Sequence, residues 1–258
     1  MGEILPNKPL IEAIFEMRWK LTQQKGGSDF DPNYSFLIGL YYDKIKSSFP
    51  YKENLPSSLA PADLIPYIVQ YRFRKSVNDW PLTQIGPGIL TVNDTKNYSW
   101  DNNFKNYCTD LIIKFKESYP DEVNLKINEL RLRYINAIEF NFEKENVYEF
   151  LTDKLNLTLS LPSQIKQSKT IKINPYGLNL TFSLPISVPK GANVYKISKG
   201  KKNNNDAIIF ELITISKDKD LTDISFPFDS WLESAHDQAE NSFYAFTEGD
   251  LLRSFKNE

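Results

Sequence analysis

Ala13, Phe15, Met17, Trp19 and Leu21 alternate with Glu12, Glu16, Arg18 and Lys20. That period of two predicts a half-buried strand over Glu12 to Leu21. A loop at Lys25-Gly26-Gly27-Ser28 and Pro32 follow. Tyr34, Ile38, Tyr41, Tyr42 and Ile45 then recur at the three- and four-residue spacing of an amphipathic helix, up to Pro50. Beyond a proline-rich connection from Pro56 to Pro66, Tyr67, Val69, Tyr71 and Phe73 alternate with Gln70, Arg72 and Arg74. A second run around Ile85 to Val92 carries Gly86-Pro87-Gly88, a bulge or turn signal, and the two runs predict adjacent strands. Asn102 to Ser118 predicts a helix with Phe104, Cys108, Leu111, Ile112 and Phe115 on one stripe and Pro120 past its end.

A long strand is expected from Leu125 to Phe142. Leu130, Leu132, Tyr134, Ile138 and Phe140 share one phase while Leu125 and Ile127 hold the other, and a bulge near Asn128-Glu129 reconciles them. A short helix follows, capped reciprocally by Asn146 and Glu149, with Val147, Phe150, Leu151 and Leu155 turned inward. Leu178 to Leu184 alternates cleanly, and Val194 to Ser198 leads into a polar hairpin tip at Gly200 to Asp206. Ile208 to Ile215 is apolar on both faces and is expected to be a central strand. The last long helix spans Ser230 to Phe246, with Trp231, Ala235, Ala239, Phe243 and Phe246 in one stripe and a capping box from Ser230 and Glu233. A shorter helix carries Leu251, Leu252 and Phe255. The order is β-α-β-β-α-β, then α-β-β-β-α-α. It predicts an α+β fold of mixed or antiparallel sheets covered by helices, not a doubly wound parallel sheet. The expected organisation is an amino-terminal α+β unit over 1–143 and a carboxy-terminal one over 144–258, closely packed or continuous as a single domain.

Composition narrows the function classes. The 258 residues are 41% hydrophobic, enough to bury a full core. With 31 basic and 33 acidic side chains the formal charge is -2, so no global field draws the chain to nucleic acid or a membrane, and any such binding needs a local patch. The segment MGEILPNKPL lacks the basic-then-apolar order of a signal peptide, and no stretch approaches the roughly 18 apolar residues of a membrane helix. Cys108 has no second cysteine to pair with, which fits a cytoplasmic location and the role of a small core residue. One histidine and one cysteine make no zinc site of the usual ligands, and neither a P-loop nor a dinucleotide-binding glycine motif is present. The expectation is no metal site, no cofactor and no catalytic set.

Two features could still carry chemistry. His236 is the sole imidazole and lies in the last long helix, where Asp237 points about a hundred degrees away and cannot easily orient it. A helix-flank histidine bonded to a neighbouring carbonyl or carboxylate is the simpler account. The second feature is a set of cation pairs spaced i, i+2 on three expected strands: Arg18 with Lys20, Arg72 with Arg74, and Arg131 with Arg133. Alternation puts them on one side if the strands share a sheet. They either grip a phosphate or carboxylate as an anion site or are neutralised across strands by Glu12, Glu16, Glu129 and Glu139. The small basic hairpin with Lys196, Lys199, Lys201 and Lys202 is either a phosphate contact or a solvated tip. The aromatic residues mostly hold the apolar phase of their elements, as core packing requires.

Four segments, NKPLIEAIFEMRW, WPLTQIGPGILTVND with NYSWDNNF, RLRYINAIEF, and SWLESAHDQAENSFYAFT, together resemble a sporadically distributed prokaryotic TIGRFAM family of about this length and of unassigned function. The resemblance spans the chain and implies a free-standing prokaryotic protein on patchily inherited, mobile or defence-associated DNA. It transfers no active site. The preferred expectation is therefore a non-enzymatic binding or interaction protein, one component of a prokaryotic assembly, with a protein partner or a second copy of itself. The alternative is a phosphate-handling enzyme acting on nucleic acid or nucleotide through Arg18, Arg72, Arg74, Arg131 and Arg133.

Overall fold

A computed structural model of the chain describes residues 5–23, 29–95, 98–168, 170, 174–222 and 224–256; the loop expected at Lys25 to Ser28 lies outside the described residues. In chain order the strands are β1 (Leu10–Trp19), β2 (Thr22–Gln23), β3 (Asp29–Phe30), β4 (Tyr51–Asn54), β5 (Tyr71–Arg74), β6 (Leu82–Gly86), β7 (Ile89–Asp94), β8 (Ile127–Glu139), β9 (Asn179–Ser187), β10 (Lys190–Lys202) and β11 (Asn205–Lys217). The helices are α1 (Tyr34–Ile45), α2 (Lys105–Ser118), α3 (Val147–Asp153), α4 (Ser163–Lys166), α5 (Asp229–Thr247) and α6 (Asp250–Lys256). Nine strands form one antiparallel sheet in the order β4-β5-β6-β7-β1-β8-β11-β10-β9, and the fold is α+β. β8 pairs with β11, so the sheet runs without a break through both halves of the sequence.

Alternation sets which side of the sheet is buried. Ala13, Phe15, Met17 and Trp19 of β1 are fully buried, opposite Tyr134, Leu132 and Leu130 of β8 and Val92 and Leu90 of β7. Helices lie against these residues. The Trp19 ring sits 4.7 Å from Phe115 of α2, Tyr41 of α1 meets both Phe73 and Phe115 edge-on, and Phe15 meets Trp231 of α5. One cluster of buried side chains runs under α1, α2 and α5 from Phe73 at one side to Tyr195 and Ile197 at the other. The long strand β8 keeps its phase by a bulge. Arg18 faces Glu129 and Trp19 faces Ile127, so Asn128 is the extra residue where the sequence changes phase. β11 lies inside the sheet between β8 and β10, as its two apolar faces require.

The strand count differs from the sequence pattern before α2. Between α1 and α2 two strands were expected and four are found. β4 reads YKEN, with no apolar alternation to mark it. The run through Gly86-Pro87-Gly88 is a hairpin, β6 and β7 joined by a two-residue turn whose Gly88 has φ +80°. Only glycine fits at either side of Pro87, because a Cβ on Gly88 would lie 2.7 Å from the Tyr67 ring and one on Gly86 would lie 2.0 Å from the Ile68 carbonyl oxygen. β5 begins at Tyr71, not at Tyr67, whose φ of 61° breaks the extended chain. The expected capping box at Ser230 does not form. Phe228 in the left-handed region precedes α5 and makes no side-chain cap, and Glu233 is drawn elsewhere. Asn146 does cap α3, accepting from the Tyr148 amide while its own amide donates to Glu149. Among the described residues no helix is long and apolar enough to cross a membrane.

Candidate functional site

The five arginines singled out by phase lie in one sheet, on the side opposite the helices. Arg18 is on β1, Arg72 and Arg74 on β5, and Arg131 and Arg133 on β8; Lys20 falls beyond the end of β1. Each guanidinium has a carboxylate. Arg18 Nε is 2.7 Å from Glu16, Arg131 Nη2 is 2.6 Å from Glu129, and Arg133 holds Glu211 at 2.8 Å. Arg72 and Arg74 share Glu53 Oε2 at 3.3 Å. Lys217 closes on the other oxygen of Glu129 at 2.8 Å. Of the glutamates proposed as partners from sequence, Glu16 and Glu129 serve, while Glu12 accepts instead from Asn93. Glu53 and Glu211 complete the set. A hydrogen-bonded row links the two ends, from Arg72 to Gln84, Thr91, Asn93 and Glu12. The cross-strand pairs through Glu53, Glu211 and Lys217 hold strands in register, and together with the pairs within β1 and β8 they leave no cluster of unneutralised guanidinium groups among these five for an incoming anion. Glu129, almost fully buried among three cations, is the keystone. Glu129→Gln is expected to cost about 1–3 kcal/mol in chemical denaturation, because it leaves Lys217 without a counter-charge and Arg131 with only Glu16, at 3.7 Å. A variant as stable as the wild type would show that the pairs are spectators.

Cys108 is fully buried in α2, and burial pushes its thiol well above the ordinary range, as expected of a packing residue. Groups of histidine, cysteine, aspartate or glutamate able to hold a metal are absent among the described residues.

His236 has a setting that the sequence did not disclose. α5 is fastened to the sheet by Trp231 Nε1 to Ser216, Thr214 Oγ1 to the Ala235 carbonyl, and Asn193 Nδ2 to Gln238 Oε1. With Trp231, Ala235 and Ala239 against the sheet, His236, Glu240 and Tyr244 follow one another at four-residue spacing along the flank. There a π-helical turn, Trp100–Phe104, leads into α2. Its wide turn presents Trp100, whose ring stacks on His236 at 4.1 Å and 13°. Trp100 Nε1 donates to Glu233 Oε2 at 3.0 Å, and Lys105 pairs with Oε1 of the same carboxylate. Burial would raise the Glu233 carboxyl, but these two donors hold it below the usual range.

Behind the imidazole runs a short relay. Tyr98 Oη donates to Tyr134 Oη at 2.9 Å, which leaves the Tyr134 proton for His236 Nδ1, also at 2.9 Å. With Tyr134 as the donor in that pair, the ring proton of neutral His236 sits on Nε2. A tyrosine hydroxyl thus takes the place of the carbonyl or carboxylate expected from sequence. Burial lowers the His236 pKa to about 4 against the opposing pull of Asp237, Glu233 and Asp101. Lys8 donates to the Tyr98 carbonyl at 2.8 Å and lies over that ring. Burial lowers its pKa too, while Asp94 counters the effect.

These residues line a half-open cavity of about 320 Å³ between the start of β1, the π turn, β8 and α5. Tyr98, Trp100, Tyr134, Phe243 and Tyr244 supply ring surface; Lys8, Asp101, Asn102, Asn136, His236 and Glu240 supply polar groups. Concave, ring-lined space with a few convergent polar atoms is what a small organic ligand needs. Lys8, Tyr98, Tyr134, His236 and Glu240 in this lining are displaced from their ordinary titration, a trait of functional sites. The contributing segments are 5–10, 98–102, 134–136 and 236–244 with Leu212, so only folding brings them together. No family model and no curated protein matches the chain.

Proposed function

We propose that this chain is a non-enzymatic binding protein that takes one small planar organic molecule into the cavity beside His236. The observation that carries this is the cavity itself, about 320 Å³ of ring-lined space with a small set of polar groups at its wall. His236 suits a binding role better than a catalytic one. A base with pKa near 4 stays neutral at physiological pH and is weak, and its Nδ1 is already engaged by Tyr134. It still offers an Nε2 proton to orient a ligand. The alternative of phosphate handling through the arginines loses support from their pairing with Glu16, Glu53, Glu129 and Glu211. A reducing cytoplasm is the location we propose, from the single cysteine in the sequence. A role as one component of a larger prokaryotic assembly rests on the sequence resemblance alone.

The test uses the four tryptophans as built-in probes. In ¹⁵N-labelled protein, adding unlabelled indole as a neutral planar probe is expected to move the Trp100 Nε1–H signal, assigned with Trp100→Phe. The Trp231 signal, buried against the sheet, is expected to stay in place. A Trp100 signal that does not move at millimolar indole, or four signals moving alike, would remove the basis for the binding site.

A further inference from the structure

The charges around the cavity point to the kind of molecule it would hold. Two carboxylates, Asp101 and Glu240, stand on its wall against one ammonium, Lys8. Lys8 is committed to the Tyr98 carbonyl, and behind it lies Asp94, fully buried, whose carboxyl is raised by burial and lowered in turn by the Thr95 amide and Lys8. The positive charge of Lys8 is thus answered from below. Glu233 is answered by Lys105. Among the described residues, what is left over is negative: Asp101 and Glu240, with Asp237 acting on both Glu240 and His236. Burial, and after it Asp237, raises the Glu240 carboxyl.

The remaining wall is ring surface. Trp100 has one face on His236, and Tyr98, Tyr134, Phe243 and Tyr244 complete the enclosure. Aromatic faces carry negative potential and attract ammonium groups, more strongly where water is displaced. His236 adds no positive charge near neutral pH, because burial keeps it neutral. We propose that the cavity is selective for an organic cation, a protonated or quaternary amine carried on a small planar framework, held by ring faces and by the Asp101 and Glu240 carboxylates. An anion of the same shape would meet the half-buried Glu240 carboxylate, with exposed Asp101 beside it at the wall, and be refused. This specificity rests on the binding role proposed above.

Three bicyclic probes of similar size separate the two ideas: 1-methylquinolinium as the cation, indole as the neutral form and 2-naphthoate as the anion. Binding is read from the Trp100 Nε1–H signal and from calorimetry. The expected result is 1-methylquinolinium bound roughly tenfold or more tighter than indole, with 2-naphthoate not bound. In Asp101→Asn combined with Glu240→Gln, the ratio of the cation to the neutral probe is expected to fall toward one. If indole binds and 1-methylquinolinium binds no better, or if the double variant keeps the full ratio, the cation specificity is overturned while the cavity remains a binding site. If none of the three moves Trp100, the binding role itself fails.

Discussion

Replacing Trp231 with alanine is expected to lower the melting temperature by roughly 6 to 20 °C. Trp231 is 1% exposed and stands where α5 meets the sheet. Its ring lies edge-on to Phe15 of β1 at 6.3 Å, and its Nε1 donates at 2.8 Å to Ser216 Oγ, which itself donates to the Lys190 carbonyl. Truncation leaves a void between α5 and two strands and removes the donor to Ser216. Aromatic-to-alanine changes in cores cost about 3–5 kcal/mol. In a chain of this size each kcal/mol moves the transition by about 2–4 °C, which gives the range stated. Trp231→Phe keeps most of the volume and loses the hydrogen bond, so it is expected to fall between the two. A melting temperature unchanged by the alanine variant would mean that α5 is not seated on β11 and β1, and the cavity wall it supplies would go with it.

Trp231 was legible in the sequence because a helix packed on a sheet repeats its buried residues every three or four positions. The central strands were legible for the same kind of reason. β1 alternates, the phase change in β8 falls at the bulged Asn128, and β11 is apolar on both sides because it has neighbours on both sides. What failed lacked a period. β4 is a polar strand at the sheet edge, and all positions of β6 and β7 are buried, so no alternation separates them. The side on which the arginines lie followed from phase, but Glu53 and Glu211 did not. Their pairing depends on an unmarked strand and on the register of β11 against β8. The cavity was the least legible part. His236 was visible as a lone imidazole, yet Tyr98, Trp100 and Tyr134 reach it across more than a hundred residues of chain. Glu233, assigned to a helix cap by spacing, is held instead by Lys105 and Trp100, both remote in sequence.

The second large effect is one of pH. Wild-type protein is expected to lose on the order of 3 kcal/mol of stability through His236 as pH falls from 7 to below 4, with most of the loss between 6.5 and 4. Above pH 6.5 the imidazole is neutral whether the chain is folded or not. Between 6.5 and about 4 the unfolded chain binds a proton that the folded chain refuses, so acidification favours unfolding. Below about 4 both states are protonated and this contribution levels off. The groups that face the ring set the size of the effect. The Trp100 stack and the surrounding burial exclude the charge, the Tyr134 hydrogen bond occupies Nδ1, and Asp237, Glu233 and Asp101 oppose the shift without overcoming it. Asp94 and Glu240 act with the opposite sign. Their carboxyls are raised in the fold, so each takes up a proton more readily when folded and lends stability as pH falls. The His236 share is therefore read as a difference between wild type and His236→Asn, whose side-chain oxygen can still accept from Tyr134. Denaturant unfolding of both proteins at several pH values from 7.5 to 3.5 is expected to give curves that converge or cross as the wild type weakens. Curves that stay parallel would show that the ring titrates near its ordinary value, and that Trp100 and Tyr134 do not hold it neutral against the cavity wall.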